Sequence, residues 1–316
     1  MATILITGMA GGLSQTVARK LLAAGHEVVG VDYRRVQRPP GEIPIYQANY
    51  NKTRIEDVFK RHRFDVVLHL GRVGNLREEM GKRFDLNVIG SQKIMNLCKD
   101  RGVSRLLVFS TFHIYGAHPA NHTPIYEDEP IRAGTDFPQI ADAIQLDNMA
   151  CTWVYRHPEV AIVVLRPTNV VGPHIRNTIS SLLRAPSFFQ LAGFNPMFQF
   201  IHENDLADAI ITFAVGPKRV SGVFNIAGEG AVPLCTALKM ARVRVYPLPA
   251  GLVSLTLRYW AGFPRYFINF FKYPCIISDK AFRETFEWSP KMSLEACIWD
   301  TVAETREKQE GVHACK

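Results

Sequence analysis

Three groups of residues in this 316-residue chain have types and spacing suited to chemistry. The first is a glycine turn, Gly8-Met9-Ala10-Gly11-Gly12-Leu13-Ser14. Gly8 lets the chain turn sharply, and Gly11, lacking a Cβ, lets an anion reach the backbone. The second is Asp32, twenty-four residues after Gly8. A carboxylate there can accept hydrogen bonds from both hydroxyls of a ribose. The third is Thr111 with His113 two residues on. A hydroxyl can hold a substrate oxygen, and an imidazole, which ordinarily titrates near pH ~6.5, suits acid or base work.

Strands and helices must present these groups. Ala2–Thr7 is a short apolar run rich in β-branched residues, which predicts a buried parallel strand. Gln15–Ala24 carries Val17, Ala18, Leu21 and Leu22 at helical spacing. Strand, glycine turn and helix together make an anion site, because the helix N-terminus offers free N–H groups and a positive dipole end. A second strand, Glu27–Val31, ends at Asp32. A short strand is expected around Ile43–Tyr46, then a helix over Thr53–His62 with Thr53 as its cap and Glu56 three residues later. Strand Phe64–Leu70, long helix Glu78–Arg101, strand Arg105–Thr111, helix Ile140–Arg156 and strand Val160–Arg166 follow. The alternation predicts an α/β fold with a doubly wound parallel sheet. Its strand ends, Gly8, Asp32, Gly71, Thr111 and Pro167, then share the edge where ligands bind. From Gly172 the pattern becomes irregular, but helix His202–Ala214 and strand Gly222–Ala227 return to it. Residues 1–172, with 198–230, are therefore read as a dinucleotide-binding domain, and 173–316 as mainly a smaller C-terminal substrate lobe.

The bulk composition, 47% hydrophobic and 21% charged, is that of a globular protein, and no apolar run is long enough to span a bilayer. Six scattered cysteines without Cys-x-x-Cys spacing argue against zinc and against a disulfide framework, and suit a reducing cytoplasm. The net charge of +8 could attract nucleic acid, anionic lipid or a phosphorylated ligand. No basic run is interleaved with aromatics in the way that binds single-stranded nucleic acid, so a small molecule is expected rather than nucleic acid. Arg34, Arg35 and Arg38 form the densest basic cluster, either a solvated loop or a contact with the adenosine side of a dinucleotide. Asp32 favours NAD because it repels a 2′-phosphate, while Arg34 and Arg35 keep NADP open. An aromatic stretch contains Tyr259, Trp260, Phe263, Tyr266, Phe267, Phe270, Phe271 and Tyr273. It reads first as packing inside the second lobe. The alternative is a peripheral membrane contact over 259–273, where Arg265 and Lys272 interleave the rings.

Several segments together resemble the extended short-chain dehydrogenase/reductase family, in its NAD-dependent epimerase/dehydratase group. Thr7-Gly8-x-x-Gly11-x-x-Ser14 is similar to its glycine turn except at the last position. His69-Leu70-Gly71, Asn87-Val88-Ile89-Gly90-Ser91 and Phe109-Ser110-Thr111-Phe112-His113-Ile114-Tyr115-Gly116 resemble later motifs, as do Leu165–Pro173, Phe200–Ala207 and Trp288-Ser289-Pro290. The resemblance implies a Rossmann sheet and a dinucleotide held by Gly8, Met9, Ala10, Gly11, Gly12, Leu13, Asp32, Tyr33 and Arg34. It extends that set to Leu70, Gly71, Arg72, Asn87, Ser110, Pro167, Asn169 and Val170. It implies a small hydroxyl or carbonyl substrate, most commonly a nucleotide sugar, and a homodimer through helices Glu78–Arg101 and Ile140–Arg156; the aromatic C-terminal lobe fits a hydrophobic sterol or acyl compound at least as well. It also implies a site of Thr111 with a Tyr-x-x-x-Lys pair, the lysine lowering the phenol's pKa.

That pair is missing. Gln139 stands at the tyrosine position and Ala143 at the lysine position, and the chain has no lysine between Lys99 and Lys218. Glutamine cannot exchange a proton near neutral pH. Thr111 and His113 remain as candidates. Asp142 and Asp147 could point inward, though the solvated face of their helix is the usual place for such residues, and Arg166, His174 and Arg176 are either contacts for an anionic substrate or residues spent on ion pairing and surface exposure. Three functions stay open: an oxidoreductase or epimerase with a non-standard acid/base, a non-catalytic NAD(P)-binding sensor or scaffold, and a lipid-processing protein at a membrane surface.

Overall fold

The computed structural model describes residues 1–75, 78–249 and 267–314. Seven parallel strands form its main sheet. They are β1 (Thr3–Thr7), β2 (Glu27–Asp32), β3 (Ile45–Gln47), β4 (Val66–His69), β5 (Arg105–Phe109), β6 (Ala161–Pro167) and, far along the chain, β11 (Gly222–Ile226). Their spatial order is β3-β2-β1-β4-β5-β6-β11. Ile4 of β1 pairs with Val28 on one side and Val66 on the other. Because β1 is covered on both faces, Ile4, Leu5 and Ile6 are wholly buried, which explains its unbroken apolar run. The order reverses between β1 and β4, and a crevice opens at such a point beyond the strands' carboxyl ends.

Two helical layers cover the sheet. On one face, Val17 and Leu21 of α1 (Gly12–Ala23) pack with Leu206, Ile210 and Phe213 of α8 (Glu203–Val215). Phe282, Phe286 and Trp288 join that layer. On the other face, α2 (Arg54–Arg61), α4 (Gly90–Asp100) and α6 (Ala141–Arg156) contribute Phe59, Ile94, Met95 and Leu146. A third core joins Phe112, Tyr115, Phe137 and Ala143 to Phe198, Phe270, Phe271 and Ile298. Around it lie the short parallel pairs β7 (Asn169–Val171) with β10 (Phe200–His202) and β8 (Ser187–Leu191) with β13 (Arg244–Leu248). The chain's last described helix, Leu294–Ala314, packs on β10.

Three local expectations need correction. Thr53 makes no side-chain cap, since its backbone is already helical, and Glu56 instead pairs with Lys93 at 2.5 Å. The helix expected over 78–101 is interrupted: α3 (Met80–Phe84) passes through a π turn at Asp85–Ile89 into α4. Asp142 and Asp147 do not face solvent, being 1% and 0% exposed. Tyr259, Trp260, Phe263 and Tyr266 lie outside the described residues, whereas Phe270 and Phe271 are buried. No helix among the described residues is long and apolar enough to cross a membrane.

Candidate active site

The glycine turn leaves β1 at Gly8, whose φ of +75° disfavours any side chain. A Cβ there would stand 2.6 Å from the Gly71 Cα, because the ends of β1 and β4 touch. Tyr50 fills the space below. Its hydroxyl accepts the Gly8 N–H at 2.9 Å, and a Cβ on Gly71 would overlap its ring. Burial, with the Asp32 charge next, raises the Tyr50 phenol above its ordinary pKa, so it stays protonated. Gly11 caps α1 without any side-chain bond, and no acidic residue occupies the first turn. The positive end of that helix therefore faces the crevice without a protein anion on it. Ser14 is buried where a third glycine would stand. The loop over 172–176 packs on Gly12, whose Cβ would overlap the His174 carbonyl. Arg184 fixes that loop by donating to the carbonyls of Gly172, Pro173 and Ile175.

Asp32 is 1% exposed at the end of β2. Its oxygens accept the backbone N–H groups of Ala10 at 2.9 Å and Arg34 at 2.8 Å. The half-exposed Arg34 guanidinium also leans on it, Nε to Oδ1 at 3.3 Å. The carboxylate is thus locked in position at the rim of the crevice.

Below the turn runs a chain of hydrogen bonds. Gly71 N–H donates to Thr7 Oγ1 at 3.1 Å, Thr7 Oγ1 meets His69 Nδ1 at 2.7 Å, and His69 Nε2 meets Ser91 Oγ at 2.7 Å. Ser91 spends its own proton on the Asn87 carbonyl at 2.6 Å. Ser91 must therefore accept from Nε2–H, which leaves Nδ1 to accept from Thr7. This assigns a neutral His69, and burial pushes its pKa down to about 4.

The crevice has a volume of about 170 Å³. Of the expected cofactor residues, Gly8, Gly11, Gly12, Leu13, Asp32, Tyr33, Arg34, Leu70, Gly71 and Arg72 line it. Tyr50, Val73, Phe109, Ile175 and Arg176 line it as well. Arg176 was expected on the substrate side. Met9 is buried beneath, against Gly30, and Ala10 contributes its N–H to Asp32. Asn87 stands behind the wall, clamping Val73 through both its N–H (2.7 Å) and its carbonyl (3.0 Å). Ser110 turns to Asp147 at 2.5 Å, and Pro167 pairs with Ile226 in the sheet. The Val170 carbonyl accepts from Asn177, and Asn169 donates to the Gln199 carbonyl while bordering a second cavity. His174 bonds the buried Glu203 at 2.8 Å.

That second cavity, of only about 10 Å³, is lined by Phe112, His113, Asn169, Ile179, Met197, Phe198, Phe270, Phe271 and Cys275. His113 belongs to its wall and Thr111, which borders neither cavity, meets it Oγ1 to Nδ1 at 2.8 Å. The imidazole packs against Phe112 and Phe270, with ring centroids 4.3 and 5.0 Å away. Burial, with the charge of Arg72 second, drives its pKa down to about 3, so it is neutral at pH 7. Neither Gln139 nor Ala143 borders the described walls of either cavity. Ala143 lies in the third core, and the Gln139 carbonyl accepts from Arg83 at 2.8 Å. The acidic residues of this helix are spent on structure. Asp142 pairs with the buried Arg83 and accepts from Asn87 at 2.6 Å. Asp147 holds Arg166 through two bonds of 3.0 and 2.6 Å. Arg166 also donates to Tyr115 at 2.8 Å and is 3% exposed, so it is no anion site.

A seven-stranded parallel sheet of this order, with a glycine turn at its switch point, is a Rossmann-type α/β fold. The chain belongs to the NAD dependent epimerase/dehydratase family, whose model matches residues 4–227. An uncharacterized protein of Mycobacterium tuberculosis is 26% identical over 259 residues, covering 78% of this chain and 67% of that protein. UDP-glucose 4-epimerase of Neisseria meningitidis is 26% identical over 289 residues, covering 80% and 84%. The solved structure of Thermus thermophilus UDP-glucose 4-epimerase in complex with NAD superposes with a TM-score of 0.76 at 19% identity, covering 96% and 99% of the two chains.

Proposed function

We propose that this chain is an NAD-binding oxidoreductase or epimerase-like protein that works without a tyrosine–lysine relay. One observation carries the cofactor reading: the Asp32 carboxylate, pinned by two backbone N–H groups at the rim of a glycine-lined crevice. The crevice fits the group. Gly11 leaves room on the crevice side, with only the Gly8 carbonyl at 3.2 Å and the Ser14 hydroxyl at 3.9 Å near a notional Cβ. The uncapped end of α1 would hold the pyrophosphate, and Asp32 would accept from the adenine ribose. NAD, when bound, supplies a hydride acceptor. The NAD-bound epimerase among the similar structures supports the same assignment.

At the reacting end, Thr111 would hold the substrate oxygen and His113 would orient the Thr111 hydroxyl. A neutral imidazole with so low a pKa is a weak base, so protons pass to and from water and turnover is slow. Neither buried tyrosine nearby substitutes for the missing phenol. Tyr50 is closed in beneath Gly8, and Tyr115 donates to Asn225 at 2.8 Å. A second reading, a dinucleotide-holding protein without turnover, is favoured by Ala143 and by the ion pairing of Asp142.

Calorimetry with NAD and NADP tests the first part: NAD is expected to bind at least about ten-fold more tightly, roughly 1.4 kcal/mol. No affinity for either refutes it. Thr111→Val then separates the two readings. Under the first it abolishes redox turnover while NAD binding persists; under the second no turnover exists to lose.

A further inference from the structure

The loop over 172–176 brings a cation to the glycine turn. The His174 carbonyl lies against Gly12, in the first turn of α1, and Ile175 and Arg176 join the glycines in the wall of the crevice. The loop itself is firmly held. Beyond the three carbonyls gathered by Arg184, the buried Glu203 accepts the His174 backbone N–H at 3.2 Å and bonds its ring at 2.8 Å. On the far side Asn177 donates to the Val170 carbonyl at 2.7 Å and caps the helix Thr178–Leu183 by accepting the Ser180 N–H at 2.8 Å. The head of Arg176 is held far more lightly. Its side chain is 65% exposed, and Nη1 donates to the Pro173 and Ile175 carbonyls at 2.6 and 3.3 Å. The Glu304 carboxylate stands 3.9 Å from Nη2 and is itself exposed. An ion pair so long and so wet contributes little, and a guanidinium has five donors to place.

We propose that Arg176 is the cation that closes on the pyrophosphate of the bound dinucleotide. The proposal rests on the cofactor reading above and adds a charged contact to it. The N-terminus of α1 offers a diphosphate N–H groups and a partial positive charge. It carries no acidic residue in its first turn to compete with that anion. A guanidinium adds a full charge and can grip two phosphate oxygens at once. Because Arg184, Glu203 and Asn177 pin the loop on both sides, only the arginine's own side chain has to turn. In doing so it exchanges a solvent-screened carboxylate for direct charge-assisted hydrogen bonds.

The test is NADH binding by the full chain, followed by fluorescence, with ADP as a competitor that carries both phosphates but no nicotinamide. Each titration is run at low and high sodium chloride, about 0.05 and 0.5 M. Arg176→Gln is expected to weaken NADH and ADP alike, at least about ten-fold at low salt and by a clearly smaller factor at high salt, because the lost contact is a charge. Arg176→Lys is expected to recover part of the loss. Unchanged NADH affinity in Arg176→Gln overturns the proposal and leaves the cofactor reading standing. A loss of equal size at both salt concentrations also overturns it, since it marks a loop that has merely shifted. A loss for NADH with ADP untouched does the same, placing the arginine at the nicotinamide end. Wild-type protein that binds neither NADH nor ADP overturns the cofactor reading, and the proposal with it.

Discussion

Acidification should destabilise this protein through His69. The residue is 2% exposed, and both ring nitrogens are spoken for by hydroxyls. Nδ1 accepts from Thr7, so a second ring proton there requires the Thr7 hydroxyl, which already accepts the Gly71 N–H, to turn its own proton away from the ring. An unfolded chain carries no such constraint and titrates near pH 6.5. The folded pKa, about 4, lies below the unfolded one. The unfolded state therefore binds more protons across that window, and stability is lost as pH falls from about 6.5 towards 4. Linkage puts the loss between pH 7 and pH 5 at about 2 kcal/mol. Urea unfolding of the wild type and His69→Asn at pH 7, 6 and 5 measures it, because asparagine does not titrate. The wild type should lose about 2 kcal/mol more than the variant over that range. Parallel pH dependences in the two proteins would mean that His69 is not held neutral by its neighbours, and the proton assignment of the whole chain from Gly71 to Asn87 would fall with it.

Asp147→Asn removes the charge that compensates the buried Arg166 and should cost about 3–5 kcal/mol in chemical denaturation. Gly8→Ala, at φ +75° and against the Gly71 backbone, should abolish NADH binding in a fluorescence titration and lower the melting temperature. The Gln139→Tyr/Ala143→Lys pair should not create a relay. Ala143 is 2% exposed among apolar side chains, so the lysine should destabilise the fold by several kcal/mol without raising turnover in a redox assay.

Much of the crevice was legible in the sequence because its signals are local. A β-branched run, three glycines and a carboxylate at the end of the next strand lie within the first thirty-two residues, and each owes its place to backbone geometry. What stayed hidden depends on partners far away in the chain. Tyr50 follows a short edge strand with no periodic signal, yet it is the prop under both Gly8 and Gly71. Asp142 and Asp147 sit on a helix whose pattern reads as amphipathic. They are buried only because Arg83 and Arg166 arrive from other elements to neutralise them. The small parallel pairs around the third core, such as β8 with β13, join segments some fifty-seven residues apart (Ser187 with Arg244), which no local pattern announces.

The strap over 172–176 makes the nucleotide crevice a late product of synthesis. Its floor is laid down by the opening turn, but the wall against Gly12 arrives with His174. Arg184, which gathers the strap's carbonyls, is itself anchored to the Thr301 carbonyl at 2.9 Å. A chain still on the ribosome would have its glycines in place long before it had the strap that packs on them. The wall against Gly12 should therefore be fixed only once Thr301 has been made.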